Sequence, residues 1–161
     1  MKKILFFAVA LMLLVATGCE KDYTPSSTTR ADFVQSYPEA VDVEWEREHG
    51  HIVAEFKLPG VSNDCEAWFK KDGTWVLTVY DIKPSELPEA VLNAFQSAYG
   101  ATTPIDGVDY IEKSSGEKLY VIEFETFALS GEIDVYLSYS PSGEFLREWV
   151  DIYYDYVYDL L

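Results

Sequence analysis

The sequence predicts an α+β fold, a tandem duplication of a helix plus antiparallel β-strand unit that forms one extended antiparallel sheet with helices on one face. Three observations predict it: an internal repeat, a series of short alternating apolar runs, and turn residues set between those runs. The repeat lies between "DFVQSYPEAVDVEWEREHGHIVAEFKL" and "NAFQSAYGATTPIDGVDYIEKSSGEKLYVIEFET". Phe33 and Tyr37 align with Phe95 and Tyr99, and Val43-Glu44-Trp45 with Val108-Asp109-Tyr110. Val53-Ala54-Glu55-Phe56 aligns with Val121-Ile122-Glu123-Phe124, Gly73-Thr74-Trp75 with Gly143-Glu144-Phe145, and Asp81-Ile82 with Asp151-Ile152. The offset between the copies grows at loops, where length changes are tolerated. The repeat units span about 31–82 and 88–153.

Each unit reads as a helix followed by strands. The first helix is expected near Arg30–Tyr37, with Thr29 and Asp32 as a capping-box-like start and Pro38 as its stop. The second, Pro88–Tyr99, begins with Pro and ends before Gly100, and Val91, Phe95 and Ala98 make its apolar stripe. Strands are expected at Val43–Arg47, Ile52–Leu58, Cys65–Lys70, Trp75–Tyr80, Val108–Glu112, Leu119–Glu125, Asp134–Tyr139 and Phe145–Val150. His49-Gly50, Pro59-Gly60 and Ser115-Gly116 separate them. In the first pair of runs, Ile52, Ala54, Phe56 and Leu58 share a face opposite Val53, Glu55 and Lys57.

Lys71-Asp72-Gly73 suits a three-residue hairpin loop with Gly in the left-handed position. That register pairs Phe69 with Trp75, Ala67 with Leu77 and Cys65 with Val79, all apolar and on one face. Pro141-Ser142-Gly143 does the same for Tyr139 with Phe145 and Val135 with Trp149, and leaves Arg147 as a misfit. Cys65 therefore reads as a small core residue, with no His, Lys or Arg beside it to activate the thiol. The other face is expected to carry Val53, Trp68, Val76, Val121, Tyr136 and Leu146, ringed by acids that include Glu55 and Glu66. If the helices cover only the first face, this is an exposed acidic sheet with an aromatic stripe, suited to binding a protein. The same pattern also suits cross-strand pairs on a solvated sheet, or a contact between two copies.

Lys2-Lys3 followed by the apolar run Ile4–Val15 and the small residues Ala16-Thr17-Gly18 reads as a signal peptide over 1–18. Its apolar run rises only about 18 Å as a helix, short of a bilayer core of roughly 30 Å. Cys19 stands where a lipoprotein signal places its acylated cysteine, so residues 19–29 are expected to be lipid attachment and tether, and 30–161 the domain. Glu20 and Asp22 loosely resemble signals that direct some Gram-negative lipoproteins to the cell surface. Loss of Lys2 and Lys3 moves the formal charge from −16 to −18, which repels phosphate backbones and excludes nucleic acid as a partner. The membrane is reached only through the lipid. With Cys19 acylated, Cys65 has no partner for a disulfide and stability rests on the core.

No catalytic set emerges. His49 and His51 with Glu44, Glu46 and Glu48 have some metal-site character, but His49-Gly50 also reads as a turn, which breaks the alternation. The acids are so numerous that carboxylate pairs arise by chance, and a glycosidase needs a cleft at defined separation. G-x-S-x-G, a phosphate-cradling glycine loop and CxxC are absent from the sequence. Tyr153, Tyr154, Tyr156 and Tyr158 read as a last strand or its overhang, or weakly as a sugar-stacking platform.

"SYPEAVDVEWE", "VAEFKLPG", "EAWFKKDGTW", "LPEAVLNAFQSAYG" and "VDYIEKSSGEKLYVIEFE" resemble the PepSY-like, beta-lactamase-inhibitor-protein-like family of secreted bacterial proteins, over about 33–152. "TFALSGEI" and "SYSPSGEF" depart from the pattern in the second unit. The resemblance implies a duplicated helix-and-sheet fold, and it carries over no catalytic residue. The expectation is a non-enzymatic lipoprotein of a Gram-negative envelope, on the periplasmic face or the cell surface. It binds an envelope protein or peptide through the sheet face and needs no cofactor. The alternatives are an inhibitor of a peptidase or other hydrolase, and a glycan- or metal-binding module. Cys19→Ser is expected to release the protein from the membrane fraction into the soluble fraction on cell fractionation; persistence with membranes would refute the anchor.

Overall fold

The computed structural model describes residues 20–21, 23–61, 63–128, 131–150 and 155–161. The expected signal peptide over 1–18, Cys19, Asp22, Tyr153 and Tyr154 lie outside them. Among the described residues the strands are β1 (Glu20–Lys21), β2 (Val41–Glu48), β3 (His51–Lys57), β4 (Asp64–Phe69), β5 (Trp75–Asp81), β6 (Gly107–Lys113), β7 (Lys118–Ala128), β8 (Gly131–Tyr139) and β9 (Phe145–Val150). They pair with their chain neighbours in one antiparallel sheet ordered β1 to β9. Eight are full strands; β1 is a two-residue extension that pairs with Arg47 and Glu46. Helix α1 (Ser27–Ser36) precedes β2, and α2 (Glu89–Tyr99) bridges β5 to β6. The fold is thus α+β, two helices on one open sheet, with helix-then-four-strands occurring twice in chain order.

Local chemistry explains the boundaries. The α1 cap is Ser26, whose hydroxyl accepts from the Thr29 N–H at 3.1 Å. The helix therefore starts earlier than the Thr29 reading places it, and part of the expected tether is helical. Thr29 instead sits buried in the first turn and shares a hydrogen bond with Ser26 at 2.8 Å. Gly100 closes α2 with φ of 100°. His49 (φ 44°) and Gly50 (φ 82°) both take the left-handed region and make the two-residue β2–β3 hairpin turn.

Both helices lie on one face. Phe56, Cys65, Tyr80, Tyr110, Tyr120 and Tyr139 form a row of cross-strand partners on that face. Phe33 of α1 meets Phe56 edge-on at 5.0 Å, and Val91 and Phe95 of α2 pack with Val108, Ile122 and Tyr139. Between the two helix clusters, Tyr80 stacks on Tyr110 at 5.6 Å and Tyr110 meets Tyr120 in a tilted contact at 5.1 Å.

The hairpin registers need correction. The Phe69–Trp75 and Tyr139–Phe145 pairs form as expected. One residue later the register slips, Trp68 facing Leu77 and Ser138 facing Arg147, so Val76 and Leu146 are bulge residues. Ala67 then opposes Thr78 rather than Leu77, Cys65 opposes Tyr80 rather than Val79, and Val135 opposes Val150 rather than Trp149. A one-residue slip moves every following side chain to the other face. Leu77, Val79 and Trp149 therefore point away from the helices. Thr78 takes the helix side, where Tyr37 shares a hydrogen bond with it at 2.5 Å and Trp75 Nε1 donates at 2.9 Å. Arg147 ceases to be a misfit, because it too lies on the far face.

The turn at Gly143 (φ 83°) presses on α2: a Cβ there would stand 2.4 Å from the Ala90 carbonyl oxygen. Gly116 has a similar φ of 86° with nothing within 4 Å. Gly143→Ala is expected to cost about 3 kcal/mol by urea denaturation, from conformation and clash together, and Gly116→Ala about 1 kcal/mol. Equal losses would show that the turn does not bear on the helix.

Candidate functional site

The face away from the helices is apolar as well. Val53, Trp68 and Leu77 stand in one cross-strand row and Val79, Ile111 and Leu119 in the next. Trp149 lies opposite Tyr136 at the β9 edge. A sheet with this face bare would present a large greasy surface to water. The chain covers it with Asp155–Leu161, a segment whose 3-10 turn Tyr156–Asp159 is capped by Asp155 accepting from the Val157 N–H at 2.8 Å. Tyr156 and Val157 are buried there in one cluster with Val53, Trp68 and Trp149. The expected last strand or overhang is thus a turn laid across the sheet.

Side chains anchor it. The Tyr156 hydroxyl donates to Asp109 and the Tyr158 hydroxyl to Glu48. Asp159 accepts from Arg147 at 2.5 Å and from Trp149 Nε1 at 2.8 Å. Tyr158 packs on His49 with the rings tilted and their centroids 3.7 Å apart, and it meets Trp68 edge-on at 6.0 Å. The turn at His49-Gly50 gives the two histidines separate neighbours, His51 lying 6.2 Å from Trp68. Among the described residues no group of three ligating side chains is placed to hold a metal ion.

The expected site residues divide under this cover. Val53 and Trp68 are direct cross-strand partners, and they and Val121 are at most 1% exposed. The premise that they lie open on the face is corrected: Asp155–Leu161 closes over them. Val76 and Tyr136 are half-buried against the same cluster, and Tyr136 donates to Glu123 at 2.9 Å. Glu55 and Glu66 face each other across β3 and β4, both half-buried. Leu146 is 44% exposed at the rim. Cys65 sits in the helix-side core, and burial followed by the nearby Asp64, Asp81 and Glu66 pushes its thiol up to about 11. That disarms it as a nucleophile. Sequence reading missed Arg147, Trp149 and Asp159 as partners; the misfit of Arg147 was the available signal.

A pocket of about 210 Å³ opens beside the segment, lined by Asp64, Glu66, Val79, Asp81, Asp109, Asp155, Tyr156 and Val157. Desolvation is the largest influence on Glu66 and Asp109 and pushes each up to about 7. For Glu66 the Trp68 indole, donating at 3.0 Å, works against the shift, and Asp155, Glu55 and Glu48 add to it. For Asp109 the Tyr156 hydroxyl works against it, and Asp81, Asp155 and Glu123 add to it. Asp155 is pushed up by desolvation, against the Val157 N–H that donates to it; Glu48 adds to the shift and His49 opposes it. A second pocket, about 460 Å³, lies along β2 among Tyr23, Trp45, Glu44, Glu46 and Glu55.

The open antiparallel sheet thus carries helices on one face and, on the other, indoles, phenols and carboxylates gathered around Asp155–Leu161. The chain matches the beta-lactamase-inhibitor-like, PepSY-like family over residues 59–147 and belongs to it. A DUF2874 family protein from Bacteroides ovatus ATCC 8483 is 29% identical, with TM-score 0.72 over 81% of this chain and 92% of its own. A BLIP-like protein from Bacteroides fragilis NCTC 9343 is 25% identical, with TM-score 0.71 over 83% of this chain and 91% of its own. A protein from Bacteroides eggerthii DSM 20697, described as periplasmic, shares the fold at 22% identity and TM-score 0.69, over 80% of this chain and 90% of its own. No curated protein matches the chain. Among the described residues no helix is long and apolar enough to cross a membrane.

The raised carboxyls make stability depend on pH. Folding lifts Asp109 from 3.8 and Glu66 from 4.5 to about 7, so the folded state holds more protons between those values. Their contribution is complete below about pH 4 and is lost as pH rises through 7. Acidifying from pH 8 to pH 5.5 is expected to raise unfolding free energy by about 2 kcal/mol for each of the two groups, about 4 kcal/mol together, in urea titrations. Asp109→Asn, which stays neutral, is expected to remove about half of that slope and leave the share of Glu66. An unchanged slope would refute the assignment.

Proposed function

We infer that the protein is a non-enzymatic, lipid-anchored envelope protein that binds a protein or peptide partner through the sheet face away from its helices. The observation that carries the reading is the far face itself, where indoles, phenols and carboxylates are arranged for side-chain recognition around Asp155–Leu161. Family membership supports it, since the family is inhibitor-like rather than catalytic in character. The Cys19 signal and the periplasmic description of the Bacteroides eggerthii relative favour an envelope location. The duplicated sequence unit gives the face its width, each copy contributing a bulged hairpin, with Val76 in one and Leu146 in the other. Around the segment, Glu55, Glu66, Val76, Tyr136 and Leu146 are the members of the predicted set that reach solvent. Val53, Trp68 and Val121 act from beneath.

A second reading is inhibition of a peptidase or other hydrolase, favoured by the shared fold of the BLIP-like protein from Bacteroides fragilis. Fold likeness alone does not confer inhibition, so the captured partner decides between the readings.

The test uses surface positions, because Trp68→Ala in this core would cost about 3–5 kcal/mol and confuse loss of fold with loss of binding. In-cell crosslinking followed by mass spectrometry is expected to recover a defined envelope partner with the native chain. Glu55→Lys combined with Leu146→Asp is expected to reduce recovery at least tenfold with the melting temperature unchanged. Equal recovery would overturn the sheet-face reading. If the partner is a hydrolase, adding the purified domain and assaying its activity distinguishes inhibition from simple binding.

A further inference from the structure

The strand ladder of the sheet runs from β1 to β9 with no contribution from Asp155–Leu161. The segment's own backbone bonds turn inward, Tyr158 N–H to the Asp155 carbonyl at 3.2 Å and Leu160 N–H to the Val157 carbonyl at 2.9 Å. Side chains join it to the sheet, and they reach far apart. Tyr156 donates to Asp109 on β6, and Tyr158 donates to Glu48 on β2. Asp159 accepts from Arg147 and Trp149 on β9. Val157, 2% exposed, fills the trough between these anchors. Phenol donors, a carboxylate and an aliphatic side chain are features that a segment of another chain can reproduce.

Opening the face without a replacement would uncover Val53, Trp68, Leu77, Val121 and Trp149 together. A contiguous apolar patch of that kind is strongly disfavoured in water. Exchange of one occupant for another avoids the exposure. The acids along the trough call for donors, and Arg147 at the β9 end calls for a carboxylate, so the chemistry fixes the direction of an incoming segment.

We propose that this face is a receptor for a tyrosine-bearing peptide segment of the pattern Asp-Tyr-aliphatic-Tyr-Asp, that Asp155–Leu161 occupies it in cis, and that a partner segment of the same chemistry displaces it. The proposal rests on the sheet-face reading above and names the partner's chemistry. Attachment to the same chain gives the cis segment an effective concentration on the order of millimolar. If the cis segment has an intrinsic Kd of about 10 μM, a competitor then binds about 100-fold more weakly than it would to an empty face.

The probe is the fluorescein-labelled, end-blocked peptide Asp-Tyr-Val-Tyr-Asp-Leu-Leu, titrated into the full chain at pH 6 by anisotropy. Tyr156→Phe with Asp159→Asn removes the cis anchors at Asp109 and Arg147 while leaving the receptor side chains in place. This variant is expected to lose hydrogen-exchange protection in 155–161 and to bind the peptide at least tenfold more tightly than the native chain. Adding Arg147→Gln is expected to reverse the gain, and a probe with both tyrosines replaced by phenylalanine to bind at least tenfold more weakly. If the double variant fails to fold, Asp159→Asn alone carries the same test with a severalfold gain. Undiminished protection of 155–161, no gain in peptide affinity, or indifference to the probe's hydroxyls would each overturn the proposal. Envelope capture that depends on Glu55 and Leu146 would then still stand, since a partner can grip the uncovered rim. Peptide binding with unaltered capture would separate the two the other way.

Discussion

Both faces of this sheet are apolar, and two short helices can cover only one of them. On the helix side, Phe33, Val91 and Phe95 press on a row that runs from Phe56 to Tyr139. On the other side, Trp68, Leu77, Ile111 and Val121 have no helix above them, and Asp155–Leu161 supplies the cover. Burial of that second stripe is the constraint on which the rest of the molecule depends. It draws a turn from the end of the described chain across strands as distant as β2 and β9, and it dehydrates the carboxylates at the margin.

The two bulges make the second face what it is. Without them Leu77, Val79 and Trp149 would join the helix-side core, and Thr78 and Glu148 would lie across from them. With Val76 and Leu146 left unpaired, Trp149 comes within 5.4 Å of Tyr156 and Arg147 reaches Asp159. The helix side benefits as well, since Tyr80 joins the tyrosine ladder and Glu148 accepts from Tyr99 at 3.5 Å. A single extra residue in each strand thus sorts side chains to both faces at once.

Electrostatics follow from the same cover. Glu55 and Glu66 stand directly opposite one another, an unfavourable like-charge pair. Partial burial beneath the segment adds desolvation, and the pair of sites at Glu66 and Asp109 holds protons near neutrality as a result. A face that reads from composition as uniformly anionic is therefore partly neutral where it is most enclosed. Phenol and indole donors, rather than cations, satisfy most of its acceptors, with Arg147 as a charged exception at the rim.

Much was legible in the sequence because it is local. Alternation, glycine turns and the two helix signals marked all eight long strands and both helices, and the quoted segments pointed to the family. Those features depend on neighbours a few residues apart. The first helix start was misplaced because Ser26 and Thr29 are both plausible caps, and only packing puts Thr29 inside. The bulges were not legible, since Trp75-Val76-Leu77 supports either register when every residue is apolar. Burial of Trp68 was invisible too, because the side chains that cover it come from a segment nearly ninety residues away. By itself, the sequence determined the elements, their order and the acidic aromatic character of the far face. Only the tertiary structure decided which residues share that face and what lies on it, because a register slip and a long-range docking are set by packing, which no local pattern encodes.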